Sequence, residues 1–196
     1  MASVIEPVVG PRDAIIDAAM HLFGKQGYTG TSMRDIASAV GVLPGSLYAH
    51  IDSKEALLVQ IVDDGINRFL AAVRPHVGSS KTPIEKLRAM IVAHVRIVAE
   101  NPERSLVVFH QWRFLSDDNL EAAIQKRRDY EQTFITVLEE GIARGLFRAD
   151  LSLRIAVLSI LGALNWTPEW LSPTGKLVPD AVGDLIADTL LCGVRA

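Results

Sequence analysis

The segment around residue 45 carries side chains that can contact nucleic acid. Four of its residues share one face of a predicted helix, and these are Gly45, Ser46, Tyr48 and His50. Gly45 lets a partner approach the backbone closely, and the Tyr48 hydroxyl can donate to a phosphate oxygen. Lys54, at the start of the next predicted helix, can reach a phosphate too. This grouping predicts binding in the major groove of DNA.

The elements that position this face form a predicted helix-turn-helix over residues 32–51. Ser32 directly precedes the first helix, and Asp35 lies three residues after Ser32. This pair is an acidic version of the capping box. Gly41 supplies the sharp turn, and Pro44 suits the first position of the second helix. The residues expected to contact DNA are Thr31, Ser32, Arg34, Pro44, Gly45, Ser46, Tyr48, His50 and Lys54.

About 45 consecutive positions around the motif resemble the TetR family of transcription regulators. Residues 12–32 resemble the first helix and turn of the family, and residues 47–57 resemble its recognition helix and the start of its fourth helix. Leu43 stands where the family usually has a capping Ser or Thr, a loss of about 1 kcal/mol. Ile51 replaces the usual Phe and is a smaller anchor. The resemblance implies three N-terminal helices that bind DNA and six more that bind a ligand and form a dimer.

The rest of the chain also favours an all-α fold. Helical spacing of apolar residues recurs throughout, and the alternation typical of strands is absent. We expect a DNA-binding domain over residues 10–70 and a ligand-binding and dimerisation domain over residues 75–196. A long helix should connect them and end before Pro75. Thr82 and Asp150 are expected to cap later helices.

The charge of the N-terminal region argues mildly against DNA binding. Residues 1–70 contain five basic and eight acidic side chains, which gives a net charge of −3, equal to that of the whole chain. Proteins that bind nucleic acid usually carry a basic patch. Affinity depends, however, on the charges at the contact face. Modest affinity, and a dimer that reads two half-sites, would reconcile the motif with the composition.

Several other classes of protein are disfavoured. The single Cys192 excludes an intramolecular disulfide and a cysteine-based zinc site. The five histidines lack metal-binding spacing, and no nucleophile elbow or phosphate-binding glycine loop occurs, so an α-helical enzyme is the weaker alternative. No cofactor and no metal are expected. The N-terminus has Glu6 and no basic region of a signal peptide, and the longest uncharged run, residues 155–168, is shorter than the roughly 20 residues of a membrane span. We expect a cytoplasmic protein without a membrane partner.

The last two predicted helices suggest a homodimer. The helix predicted for residues 151–166 is apolar nearly all round, so both of its sides need to be covered. A bundle of two such helices from each subunit would do this, and the family resemblance implies the same. The alternative is a core formed within one chain. The expected contacts are Ala156, Ser159, Ile160, Ala163, Leu185, Ile186, Thr189 and Leu190.

Arg127 is the most unusual residue of the C-terminal half. It lies within the apolar stripe of a helix predicted from Asp117 to Arg144. A lone buried charge costs several kcal/mol, so it needs a partner. That partner is either Glu131, one turn further along the helix, or an anionic group of a ligand. A distorted helix that lets Arg127 reach solvent is the third possibility.

Aromatic residues gather in the same region. Most aromatics at helical spacing are simply core, but a regulator of this size usually needs one apolar cavity with a few polar groups. The expected ligand-binding residues are Phe109, Trp112, Arg113, Arg127, Tyr130, Phe134, Asn165, Trp166 and Trp170.

Four segments of the C-terminal half, residues 110–115, 126–131, 140–147 and 164–170, resemble one branch of the family. That branch contains actinobacterial repressors of sterol-ring and fatty-acid breakdown, whose ligands are acyl-coenzyme A thioesters. The resemblance therefore implies a repressor that a small apolar or acyl-CoA effector releases from double-stranded operator DNA. A DNA-binding regulator without small-molecule control is the alternative.

Overall fold

The computed structural model describes residues 10–172 and 175–195, so Glu6 and Pro173 lie outside the described residues. This part of the chain contains nine α-helices, two short 3₁₀ turns and no strand beyond one isolated bridge, which confirms the all-α prediction. The helices are α1 (Pro11–Gln26), α2 (Met33–Ala39), α3 (Pro44–Leu47), α4 (Lys54–Val77), α5 (Pro83–Glu100), α6 (Pro102–His110), α7 (Asp117–Ala143), α8 (Leu153–Asn165) and α9 (Pro179–Val194). The 3₁₀ turns cover Gln111–Phe114 and Thr167–Glu169.

Helices α1 to α3 pack around a small apolar core. Phe23 of α1, Ile36 of α2 and Leu47 of α3 are fully buried. The capping box is confirmed, because Ser32 Oγ accepts from the Asp35 amide at 3.2 Å and the Asp35 carboxylate accepts from the Ser32 amide at 2.7 Å. Gly41 has a φ of 73°, a left-handed conformation that favours glycine. The chain beyond α3 continues as tight turns to His50, whose amide donates to the Leu47 carbonyl at 2.9 Å.

Helix α4 is longer than the sequence predicts, because it continues through Pro75 to Val77. Proline removes one backbone donor, so the carbonyl of Ala71 loses its helical partner. Both residues lie on the exposed side of the last turns, where water can bind that carbonyl. Val73, on the opposite side, is fully buried and holds the end of the helix against the C-terminal domain.

The C-terminal domain is built around α5, which packs against α4, α7 and α9. The predicted capping box at the start of α5 is confirmed, with Thr82 Oγ1 accepting from the Glu85 amide at 3.4 Å. The predicted cap at Asp150 is wrong, because α8 begins only at Leu153 after Ser152. The Asp150 carboxylate instead accepts from Arg148 at 3.0 Å. None of the helices over residues 10–172 and 175–195 combines the length and the hydropathy of a membrane span.

Candidate functional site

The proposed DNA-binding face is exposed in the structure. Leu47 is fully buried and anchors the short helix α3, so the opposite side of that helix faces outward. The predicted contact residues on this outward side are all exposed, and they are Pro44, Gly45, Ser46, Tyr48 and His50. A side chain added at Gly45 would meet no atom within 4 Å, so the backbone is open to a partner there. Ser32 and Arg34 are exposed as well.

Two of the predicted DNA contacts have structural partners inside the domain. Thr31 is buried, with its hydroxyl donating to the Gly27 carbonyl at 2.9 Å, so its side chain cannot reach DNA. The Lys54 ammonium donates to the carbonyl oxygens of Tyr28 and Thr31, at 2.9 and 2.8 Å. Two of its three donors therefore hold the turn between α1 and α2, which leaves one for a phosphate.

Two apolar residues at the same surface were not predicted to contact DNA. Leu43 and Val42, which precede α3, are 76% and 42% exposed. The predicted lack of a side-chain cap at Leu43 is confirmed. The residue type showed the missing cap, but only the tertiary structure shows that Leu43 points away from the core.

An inner cavity of about 30 Å³ lies between α4, α6, α7 and α8. This volume holds one or two water molecules. Four of the predicted ligand-binding residues line it, namely Phe109, Arg127, Tyr130 and Asn165. The other lining residues are Ile66, Phe69, Val108, Glu131 and Leu161. The cavity is therefore mainly apolar, with one basic and one acidic side chain in its wall.

The Arg127 guanidinium lies at the edge of this cavity. Its carbon is 4.7 Å from the centroid of the Trp112 ring, a cation–π arrangement, and Nη1 donates weakly to the Val108 carbonyl at 3.4 Å. Burial lowers the pKa of Arg127, and the nearby Glu131 charge partly offsets that effect. Within the described part of the chain, however, Arg127 and Glu131 form no direct ion pair. The guanidinium therefore keeps donors that an anionic group could use.

An outer groove of about 460 Å³ adjoins the inner cavity between α7 and α8. Arg127 and Glu131 line both spaces and separate them. The remaining groove residues are Trp112, Ile124, Arg128, Ile135, Arg154, Val157 and Leu158. With three arginines and one glutamate, the groove suits a negatively charged partner.

Four predicted ligand residues lie elsewhere. Phe134 is fully buried behind Tyr130, with ring centroids 5.5 Å apart, and belongs to the core. Trp166 is 61% exposed and follows directly after the end of α8 at Asn165. Trp170 is 46% exposed and lines a separate surface groove beside Pro168. Arg113 is exposed, with its guanidinium carbon 5.4 Å from the Trp112 ring centroid.

His94 is a residue of the site region that the sequence analysis missed. It is fully buried, and its Nδ1 lies 2.8 Å from the Tyr130 hydroxyl. Burial lowers the pKa of His94 to about 3, so the imidazole is neutral at physiological pH. The sequence pattern could have indicated that His94 is buried, because it lies between Ile91 and Val98 on the apolar stripe of α5.

The predicted dimer contacts divide into two groups. Ala156 and Ile160 are buried within the protomer, so these two cannot contact a second subunit. Ile186 and Leu190 are partly buried against the same core. The exposed members are Ser159, Ala163, Leu185 and Thr189. Additional exposed apolar side chains in or next to α8 and α9 are Ile155, Leu158, Trp166, Leu177 and Val178. We refer to the exposed face of α8 and α9 as the apolar face.

The 3₁₀ turn at Gln111–Phe114 contacts both functional regions. On one side, Trp112 stacks on Arg127 at the cavity edge, and its Nε1 donates to the Phe109 carbonyl at 3.1 Å. On the other side, Gln111 Oε1 accepts from the Tyr28 amide at 3.0 Å, and Phe114 stacks on the Tyr28 ring with centroids 5.8 Å apart. Tyr28 belongs to the turn that Lys54 holds. This segment therefore contacts both the edge of the cavity and the DNA-binding domain.

Two family models match the chain. Residues 15–61 match the model of bacterial regulatory proteins of the tetR family. Residues 80–194 match the model described as tetracyclin repressor-like, C-terminal domain. Together the two matches include the DNA-binding face, the apolar face and the inner cavity except for its α4 residues Ile66 and Phe69.

Individual proteins are similar over nearly the whole chain. The HTH-type transcriptional repressor KstR2 of Mycolicibacterium smegmatis is 26% identical over 184 residues, which cover 93% of this chain and 90% of the relative. The structure of the ketosteroid transcriptional regulator KstR2 of Mycobacterium tuberculosis has a TM-score of 0.89 and 25% identity, and the match covers 99% of this chain and all of that one. AibR in complex with isovaleryl coenzyme A and operator DNA has a TM-score of 0.80 and 26% identity, covering 94% of this chain and 97% of that one.

Proposed function

This chain belongs to the TetR family of bacterial regulatory proteins, and we propose that it is a repressor that an acyl-CoA effector releases from operator DNA. Members of the family are DNA-binding transcription regulators that act as dimers and are not enzymes. The proposal keeps the division into a DNA-binding domain over residues 10–70 and a ligand-binding and dimerisation domain over residues 75–196. It also places the protein in the cytoplasm, where its operator would be.

The observation that carries the effector proposal is the position of Arg127 between the inner cavity and the outer groove. An acyl-CoA has an apolar acyl chain at one end and several phosphates at the other. The inner cavity offers an apolar wall, and the outer groove offers Arg127, Arg128 and Arg154. Arginine is well suited to phosphate because its planar guanidinium presents a rigid fork of donors. The isovaleryl-CoA complex of the similar protein AibR supports this ligand class.

The proposed mechanism of release uses the link at Gln111–Phe114. The inner cavity, at about 30 Å³, is far too small for an acyl chain, so binding has to displace residues of the cavity wall. Displacement of Arg127 moves Trp112, and with it Gln111 and Phe114, which hold Tyr28. The DNA-binding domains of a dimer would then change their spacing. Release requires that the effector binds the displaced form more tightly, and typical coupling is about 1–3 kcal/mol, or roughly 5- to 150-fold in operator affinity.

The proposed dimer uses the apolar face. Several large apolar side chains are exposed on or next to these two helices, and an exposed apolar patch usually marks an interface. Ile155 and Leu185, which are 60% and 65% exposed, would be covered by the second subunit. The two recognition helices would then read half-sites about 34–36 Å apart, or a multiple of that distance.

The experiment begins with selection of operator DNA from random fragments by the purified protein. Fluorescence anisotropy of the selected operator is then measured during titration with decanoyl-CoA, with free coenzyme A and decanoic acid as controls. We expect release by decanoyl-CoA at concentrations at which neither fragment acts. If a broad series of acyl-CoAs neither binds nor releases DNA, the protein is a regulator without this control.

A further inference from the structure

The His94 imidazole has one ring nitrogen without a hydrogen-bond partner. Its Nδ1 lies 2.8 Å from the Tyr130 hydroxyl. In the residues that the structure describes, no group pairs with Nε2, although this atom is buried. Buried polar groups are nearly always hydrogen-bonded, because an unpaired one lowers the stability of the folded protein. The unpaired nitrogen therefore suggests a partner from outside the protein.

The hydrogen-bond inventory indicates which proton His94 carries. If Nδ1 donated to Tyr130, both the Tyr130 hydroxyl hydrogen and the Nε2 lone pair would lack partners. If the hydroxyl donates to Nδ1, only the N–H at Nε2 lacks one. The second arrangement leaves fewer unpaired groups, so Nε2 is a donor that needs an acceptor.

The unpaired donor lies behind the wall of the inner cavity. The His94 ring centroid is 4.7 Å from that of Phe69 and 5.6 Å from that of Phe109. Both phenylalanines line the cavity, as does Tyr130. The Phe109 ring is stacked on a face of the imidazole and the Phe69 ring is tilted against it, so a ligand that displaces either ring gains access to His94.

We propose that His94 recognises an uncharged acceptor oxygen, such as a ketone, ester or hydroxyl oxygen, on the apolar part of the effector. The inference rests on the proposed function of the inner cavity. Apolar neighbours such as Ile66, Val108 and Leu161 would not stabilise a charge at that depth, so a carboxylate is disfavoured there. The anionic end of the effector would instead lie near Arg127. Together the two residues would select an elongated molecule with one anionic end and a single oxygen in its apolar part.

The test compares two small molecules of nearly the same shape, cyclohexanone and methylenecyclohexane, of which only the ketone carries an acceptor oxygen. Full-length protein with ¹⁵N-labelled histidine is titrated with each, and the Nε2–H signal of His94 is followed by NMR. The signal is assigned by its loss in the His94→Phe, Tyr130→Phe double variant, which removes both members of the pair and leaves neither one unpaired. His21→Phe is the matched control, since His21 pairs with Glu103 at the protein surface.

We expect cyclohexanone to shift the His94 Nε2–H signal and to bind about tenfold more tightly than methylenecyclohexane, the gain of one buried hydrogen bond. This preference should persist in His21→Phe and disappear in the double variant. Equal responses to the two molecules, no response to either, or an unprotonated Nε2 would overturn the proposal. An N–H that exchanges with water and ignores both molecules would mean that the site holds water only.

The same measurements separate this inference from the proposed function. A His94 response to the ketone, without binding of any acyl-CoA, would contradict the effector class and leave the His94 site in place. Release of DNA by decanoyl-CoA, without any His94 response, would contradict the His94 inference alone. A series of decanoyl-CoA derivatives with one ketone at successive carbons then locates the oxygen that His94 recognises.

Discussion

The Lys54 ammonium lies 4.2 Å from the centroid of the Tyr28 ring and donates to the carbonyl oxygen of the same residue. Lys54 is the first residue of α4, and Tyr28 lies in the turn between α1 and α2. One side chain thus fixes the turn that also contacts the C-terminal domain through Gln111. A residue expected to bind phosphate is first of all part of the domain structure.

Lys54→Met should lower the stability of the protein by about 1–2 kcal/mol, because two carbonyl oxygens lose a charged donor. In a chain of this size, each kcal/mol lowers the melting temperature by about 2–4 °C. The matched control is Arg34→Met, which removes an exposed charge on the same domain. A Lys54→Met protein that melts like the control would show that these contacts contribute nothing.

Tyr48→Phe should weaken operator binding several-fold without changing the melting temperature. The Tyr48 side chain is 56% exposed and has a buried neighbour, Leu47, that maintains the helix. Loss of one phosphate contact reduces affinity about uniformly across DNA sequences. Anisotropy with the selected operator and with an unrelated duplex measures both effects. A loss confined to the operator would instead assign Tyr48 to base recognition.

Arg127→Met should raise the Kd of decanoyl-CoA by about 10- to 100-fold, the loss of a charged hydrogen bond of roughly 1.4–2.8 kcal/mol. The apolar stem of methionine keeps part of the packing against Trp112. Arg144→Met, directly after the end of the same helix, is the control because Arg144 pairs with Glu140 at the surface. Calorimetry gives the Kd, and thermal melting gives the stability. A destabilised Arg127→Met protein that still responds normally to decanoyl-CoA would refute a ligand role.

Leu185→Arg should shift the protein from dimer to monomer. The new charge would be buried in the proposed interface, which raises the dimer Kd by about tenfold or more. Ala163→Arg on α8 tests the same proposed dimer interface, to which Leu185 contributes from α9. Thr136→Arg, at an exposed position of α7, is the control. Sedimentation velocity over a range of protein concentrations measures the fraction of dimer. If Leu185→Arg and Ala163→Arg both stay folded and fully dimeric, the interface lies elsewhere.

The stability of the protein should fall as the pH is lowered below about 6.5. Burial lowers the pKa of His94 in the folded protein to about 3, whereas the unfolded chain has the ordinary value near 6.5. Between these values the unfolded state binds a proton that the folded state does not. The contribution of neutral His94 to the stability of the protein is therefore present above pH 6.5 and is lost towards pH 3. The rings packed against His94 are Phe69, Phe109 and Tyr130, of which Tyr130 alone titrates, and burial raises its pKa.

Urea unfolding at pH 7.5 and pH 5 measures this effect. The His94→Phe, Tyr130→Phe variant should show a smaller loss of stability between the two pH values than the wild type. His21→Phe should keep the full loss, since its ring lies at the surface. An identical pH dependence in all three proteins would show that His94 is not the group responsible.

Local features of this protein could be predicted from the sequence, and long-range contacts could not. Ser32 with Asp35 and Thr82 with Glu85 form caps within three residues, so residue type and spacing decide them. Lys54 and Tyr28 are 26 residues apart, and only the folded domain brings them together. Likewise, nothing local reveals that α8 ends one residue before Trp166 and leaves that ring exposed. The sequence pattern indicated that Arg127 needs a partner but could not show its contact with Trp112.

The small volume of the inner cavity also sets the effector concentration at which the proposed regulator would respond. A cavity of about 30 Å³ has to expand before an acyl chain can enter, and the free energy of that expansion is subtracted from the affinity of every effector. The effector concentration needed for release therefore exceeds the Kd of the open form. The factor is the reciprocal of the fraction of protein that is open. Background levels of the metabolite would leave the genes silent, and only its accumulation would turn them on. Substitutions that loosen the cavity would lower this threshold even if they touched neither the DNA nor the ligand.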